Sequence, residues 1–211
     1  MIINNGNIFG IDEEFKKGSI AIQDGKIVEI SYDGKDIVSD DTEGIIDAKG
    51  MYVVPGFVDI HFHGCKGYDL CDATIEALEE ILKYQLSIGV TDIVPATMTL
   101  PKDKLEKIVS VAAKASNHNG SNLQGITMEG PFVSKEKKGA QNEAYIQKPD
   151  VEFFREIQEK SGNLIKQIVI APEEDENYEF IKEISKETVV SIGHTMADYE
   201  MAHKAFENGA T

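Results

Sequence analysis

Three short segments of this 211-residue sequence set metal-competent side chains where a strand ends. The first is Pro55-Gly56-Phe57-Val58-Asp59-Ile60-His61-Phe62-His63-Gly64. Side chains alternate along a strand, so His61 and His63 share a face. Two neutral imidazoles on one side make half of a divalent-metal site, and Asp59, on the same face, can orient such a ligand through a hydrogen bond. The same pattern also suits two partly buried histidines with hydrogen-bonded rings. The second segment, Ile126-Thr127-Met128-Glu129-Gly130-Pro131-Phe132, ends an apolar run on a carboxylate and breaks it at once with Gly-Pro. Glu129 can there bind or bridge metals, or stand as a solvated loop residue. The third, Val190-Ser191-Ile192-Gly193-His194-Thr195, repeats the theme before a helix whose N-cap is Thr195 or Asp198. His118 and His203 fit none of this and read as structural or surface residues.

Elements that could position these groups follow from the apolar pattern. Ile20–Ile22 and Ile27–Ile30 flank Asp24-Gly25, a tight-hairpin dipeptide, and Asp33-Gly34 and Gly44–Asp47 continue a small β-sheet over residues 1–50. From residue 51 to 211, apolar runs at Tyr52–Ile60, Val90–Ala96, Leu123–Met128, Ile165–Ala171 and Thr188–Ile192 alternate with helical spacings near 74–88, 102–117, 150–161, 177–186 and 197–208. Pro101 and Pro149 sit where helix starts accept proline. Short strands apolar on both sides, each followed by a helix, form either a doubly wound sheet or a (β/α)₈ barrel. A closed barrel takes about 250 residues, so about five βα units are expected to be the N-terminal portion of a longer protein, the alternative being a complete five-stranded open sheet.

Composition narrows the class of partner. Lys and Arg total 21 against 37 Asp and Glu, a net charge of −16, which repels nucleic-acid phosphates and anionic lipid. No apolar run reaches the roughly 20 residues of a membrane helix, and the start lacks a signal-peptide pattern. With only Cys65 and Cys71, a disulfide scaffold is excluded and a reducing cytoplasm is expected. The run Lys135-Glu136-Lys137-Lys138 reads either as a positive patch for an anionic ligand or as an ordinary solvated loop.

PGFVDIHFHG resembles the first-strand signature of the amidohydrolase superfamily, and the later TMEGPF, KKGAQN and SIGHT elements are similar, more narrowly, to the N-acetylglucosamine-6-phosphate deacetylase family. The resemblance implies a metal-dependent (β/α)₈ barrel with a small β-sheet or sandwich domain contributed here by residues 1–50. It implies hydrolysis of the acetamide of a small amino-sugar phosphate, giving glucosamine 6-phosphate and acetate, by a homodimeric enzyme. Glu129 and His194 would then ligate one divalent metal, and His61 and His63 a second with Glu129 bridging; zinc is expected, with iron, cobalt or manganese as alternatives. Ala140 and Gln141 would contact substrate; many members carry histidine where Gln141 stands, so a cationic role is excluded at that position. A further metal-binding histidine and the acid–base aspartate are expected beyond Thr211. The competing readings are another amidohydrolase, acting on cyclic amides or as a deaminase, and a catalytically silent metal-binding fragment.

Overall fold

The computed structural model describes residues 1–32, 34–38, 44–115 and 120–211. Asp33 of the second expected turn, His118 and the end of the expected helix 102–117 lie outside the described residues. The chain divides into two compact units, Met1–Gly56 and Phe57–Thr211, a division later than the expected one at residue 50.

The first unit is one mixed sheet built on β1 (Ile2–Phe9). β2 (Phe15–Gln23) runs antiparallel to it and turns at Asp24-Gly25, both at positive φ, into β3 (Lys26–Ser31). β4 (Ile45–Asp47) and β5 (Tyr52–Val53) pair with β1 in parallel. The central strand is invisible to the apolar pattern because Asn4 and Gly6 occupy buried positions between Ile2 and Ile8. Asn4 is tolerated inside because its amide exchanges hydrogen bonds with the main chain of Ile37, at 3.3 and 3.1 Å.

The second unit carries parallel strands that follow one another in chain order. These are β6 (Phe57–Asp59), β9 (Val90–Ile93), the broken pair β10 (Asn122–Leu123) and β11 (Ile126–Glu129), β12 (Ile165–Ile170) and β13 (Val189–Ile192). β9 pairs with β6 and β10, β12 pairs with β11 and β13, and a parallel bridge between Ala96 and Thr127 joins the two sets. Two expected strands are corrected. The run Tyr52–Ile60 splits at Val54–Gly56, with Val53 on β1 and Phe57 on β9. The run Leu123–Met128 breaks at Gln124-Gly125, where a Cβ on Gly125 would stand 2.6 Å from the Leu164 carbonyl oxygen. A short hairpin, β7 (Gly64–Cys65) with β8 (Tyr68–Asp69), follows the histidine pair.

Helices α1 (Ile75–Ser87), α2 (Lys102–Lys114), α3 (Val151–Lys160), α4 (Glu179–Ile184) and α5 (Tyr199–Glu207) lie between or after these strands. Thr74, Asp150 and Asp198 cap α1, α3 and α5 by accepting the amides of Ala77, Phe153 and Met201. The buried faces of the helices meet the strands in one core that includes Leu78, Ile81, Leu105, Ile108, Ile157 and Ile181. Phe132, just past Glu129, is fully buried against Phe180, with ring centroids 5.0 Å apart. Burying such a ring stabilises by about 1.5–3 kcal/mol and anchors the turn that follows the carboxylate. No helix among the described residues is long and apolar enough to cross a membrane.

Candidate metal centre

β6 ends at Asp59, so His61 and His63 are not on the strand itself. They still face the same way, because the extended chain is pinned at alternate carbonyls. Ile60 O accepts the Thr127 hydroxyl at 2.8 Å and Phe62 O accepts the Ala96 amide at 2.7 Å. Asp59 acts on main chain: its Oδ1 accepts the His61 amide at 3.1 Å.

Glu129 closes β11, whose four residues are all buried, and is itself 5% exposed. Its amide donates to Thr97 Oγ1 at 3.3 Å and its carbonyl accepts from Thr99 Oγ1 at 3.4 Å. Gly130 turns away at φ +79, and a Cβ there would come within 2.1 Å of Thr99 Oγ1. Glycine is thus required for the chain to leave the strand with its carboxylate pointing into the site.

The two carboxylate oxygens of Glu129 face different imidazoles. Oε2 lies 2.9 Å from His63 Nε2 and 3.5 Å from His61 Nε2, while Oε1 lies 2.6 Å from His194 Nε2. His61, His63 and Glu129 offer ligand atoms that all lie within 4.8 Å of one another. The His61 and His63 rings stand nearly perpendicular, with centroids 5.7 Å apart. His194 Nδ1 donates to the Lys137 carbonyl at 2.8 Å. A carbonyl only accepts, so this bond puts a proton on Nδ1 and turns Nε2 toward Glu129.

Burial pushes the Glu129 carboxyl up, but the imidazoles of His63 and His194 facing its two oxygens outweigh it and hold the acid at about 2. The Glu129 carboxylate in turn raises the His63 imidazole above its ordinary value, against the opposing effect of burial. Among the described residues, the buried Glu129 Oε2 accepts no well-aligned hydrogen bond. An ionised, buried oxygen facing two imidazole nitrogens without an aligned proton is where a cation fits. The donor set, three imidazoles and a carboxylate, suits a divalent ion of borderline hardness.

Two expected substrate contacts sit differently. Ala140 is exposed, whereas Gln141 is buried, with its Oε1 accepting the Thr99 amide at 2.6 Å and its Nε2 at 3.8 Å from Met98 Sδ. Gln141 therefore braces the loop beside Glu129. His203 lies on α5, stacked on Tyr199 and 3.5 Å from Glu207 Oε1, and does not join His61, His63 and His194 at Glu129. Lys135 and Lys137 are exposed, and Lys137 reaches the centre only through its carbonyl. Thr97, Thr99 and the Lys137 carbonyl escape a reading by residue type, since they serve through main chain or hydroxyl at long range.

Known proteins carry the same architecture. Over its full length the chain is 34% identical to the N-acetylglucosamine-6-phosphate deacetylase of Bacillus subtilis (strain 168), of which it covers 54%. It superposes on the crystal structure of the deacetylase of that name from Pasteurella multocida with a TM-score of 0.87 and 26% identity, covering 100% of this chain and 55% of that one. The corresponding Thermotoga maritima structure gives a TM-score of 0.78 at 30% identity, covering 100% and 53%. The chain spans about half the length of the curated relatives it matches. Residues 52–211, which hold all four converging side chains, match the profile described as Amidohydrolase family, and the chain belongs to the amidohydrolase family.

Proposed function

We propose that the protein is a metal-dependent deacetylase that hydrolyses the acetamide of N-acetyl-D-glucosamine 6-phosphate to glucosamine 6-phosphate and acetate. The observation that carries this reading is the division of the Glu129 carboxylate between His61 and His63 on one oxygen and His194 on the other. The likeness to deacetylases of that name at up to 34% identity supplies the substrate class.

Under this reading Glu129 and His194 would hold one divalent ion, and His61 and His63, together with Glu129, would hold a second. Zinc is the proposed metal, with iron, cobalt or manganese as alternatives suited to nitrogen and oxygen donors. The chemistry supplied by such an ion is polarisation of the amide carbonyl and a lowered pKa for attacking water. The residues of the chain prepare for this. The low pKa of Glu129 keeps its charge across the physiological range, and the Lys137 carbonyl fixes the His194 tautomer. Ala140, exposed on the loop that carries Lys137, and Gln141, whose side chain also holds that loop's base, are the proposed substrate contacts. The acid–base aspartate that protonates the leaving amine is assigned to none of the described residues.

The same proposal includes the architecture. Sequential parallel order, without the reversal that marks a doubly wound sheet among the described residues, supports reading Phe57–Thr211 as part of a (β/α)₈ barrel. A homodimer in the cytoplasm completes it; the free thiols of Cys65 and Cys71 support the compartment.

The test is acetate release from N-acetyl-D-glucosamine 6-phosphate by the protein that carries this chain. Stoichiometric acetate and glucosamine 6-phosphate, abolished by chelator and restored by Zn²⁺ or Co²⁺, are expected. Absence of acetate under all metal conditions would refute the reading.

A further inference from the structure

Glu173 touches none of the converging side chains, yet the turn that presents His194 hangs on it. His194 sits at φ +48, in the left-handed region that a residue with a side chain seldom adopts. Such a conformation persists only where neighbours over-determine it. Before it, the Gly193 amide donates to Ile170 O at 3.0 Å; at it, the carbonyl accepts the Ser134 amide at 2.9 Å. After it, both oxygens of one carboxylate are engaged. Glu173 Oε2 accepts the Thr195 hydroxyl, and Glu173 Oε1 accepts the Met196 amide at 2.5 Å. Thr195 Oγ1 passes the constraint on by accepting the Ala197 amide at 2.8 Å.

Starting α5 does not need this carboxylate. Asp198 already caps that helix through the Met201 amide at 2.9 Å. Nor does Lys148 claim it, for Lys148 pairs with the neighbouring Glu174 at 2.6 Å. What remains for Glu173 is the turn itself, held by charge-assisted hydrogen bonds, which are stronger than neutral ones.

We propose that Glu173 is a positioning residue for the metal centre: by gripping Thr195 and Met196 it holds His194 in the left-handed turn that aims Nε2 at Glu129. The inference rests on the metal reading of the site.

The experiment compares Glu173→Ala, Glu173→Gln, Thr195→Val and the control Glu174→Ala in the protein that carries this chain. Two readouts are taken: Co²⁺ affinity from the visible absorption of the bound ion, and hydrogen exchange of the Met196 amide. Groups that orient a ligand without touching the metal change affinity by about 10–100-fold when removed. A loss of that order is expected in Glu173→Ala, with faster Met196 exchange. Glu173→Gln, which keeps an oxygen for the Met196 amide, should recover most of both. Thr195→Val keeps shape but removes both the donor to Glu173 and the acceptor of the Ala197 amide, so it should weaken Co²⁺ binding in the same direction even if Glu173→Ala does not fold. Glu174→Ala should match the unmodified protein. Unchanged affinity in the Glu173 and Thr195 variants, or an equal loss in Glu174→Ala, overturns the proposal. If the unmodified protein takes up no Co²⁺, the metal reading fails, and exchange alone decides the clamp: faster Met196 exchange in Glu173→Ala with rescue by Gln supports it, and unchanged exchange overturns it.

Discussion

His194 Nε2 meets Glu129 Oε1 at 2.6 Å although 65 positions separate the two residues in sequence. Strand register explains the meeting. Glu129 on β11 stands opposite Val169 on β12, which stands opposite Ser191 on β13. Two positions further on, the chain leaves β13 at Gly193, where a Cβ would come within 2.6 Å of Val169 Cγ1. The imidazole and the carboxylate therefore converge over Val169 from strands on either side of it, as catalytic groups do at the C-terminal ends of parallel strands.

Adding one methyl group at Gly130 should damage this arrangement. An alanine there combines a left-handed φ with a Cβ 2.1 Å from Thr99 Oγ1. Strain and overpacking together should cost about 2–6 kcal/mol. Urea denaturation of Gly130→Ala would show this as a lowered midpoint with an unchanged slope; a midpoint equal to that of the unmodified protein would contradict the packing described.

Gln141 gives a test that separates bracing from substrate contact. Truncating it to alanine orphans the buried Thr99 amide, now 2.6 Å from Gln141 Oε1, and should destabilise by about 1–3 kcal/mol. Metal uptake by Gln141→Ala should stay near that of the unmodified protein under conditions where both are folded. A variant of undiminished stability whose KM for the amino-sugar phosphate rose would show Gln141 as a substrate contact and not a brace.

The chemistry-bearing residues were legible because metal ligands are few in type and each stood where an apolar run stopped. His61, His63, Glu129 and His194 stood out by residue type near the ends of apolar runs, while their assignment to particular ions came only with the family resemblance. Helices α1, α3 and α5 were legible from apolar spacing and capping residues, Asp198 being the cap of α5. β1 was not legible, since buried Asn4 and Gly6 interrupt its apolar alternation and are tolerated only through pairing with distant segments. The break at Gly125 depends on Leu164 and Lys166 pressing from the next strand, which local pattern cannot carry. Glu173, and the bond from Gln141 to the Thr99 amide, were hidden for the same reason, their partners lying 22 or 23 and 42 positions away.

Asp175 should give an acid-side signature of its own. Its carboxylate accepts the Phe180 and Ile181 amides at the start of α4, at 3.0 and 2.9 Å. Burial nonetheless raises its pKa above the ordinary 3.8, these bonds offsetting only part of the effect. The native state therefore takes up the proton before the unfolded state does as pH falls. The cost of keeping Asp175 ionised is present at neutral pH and is relieved as pH drops through the raised value towards 3.8. Relative to Asp175→Asn, the unmodified protein should gain stability between neutral pH and that window, read from urea midpoints at each pH. A difference independent of pH would contradict the assignment.

Stripping the metal should lower thermal stability in proportion to occupancy. An ion at 100 times its Kd adds about 2.7 kcal/mol to the folded state. Melting with Zn²⁺ and with chelator should differ accordingly, and the difference should vanish when His61 and His63 are both replaced by asparagine with Glu129→Gln. A chelator-insensitive melting temperature in the unmodified protein would argue against occupancy.

Calorimetric titration of the metal-stripped protein with Zn²⁺, beside its Glu129→Gln variant, is the most direct test of the centre. Residues that merely orient ligands are worth about 10–100-fold in affinity, so loss of the shared carboxylate charge should cost at least ~100-fold. Tight uptake is expected in the unmodified protein, with that loss in a variant that still melts cooperatively. No uptake by the unmodified protein, or equal uptake by both, would contradict a metal centre built on Glu129.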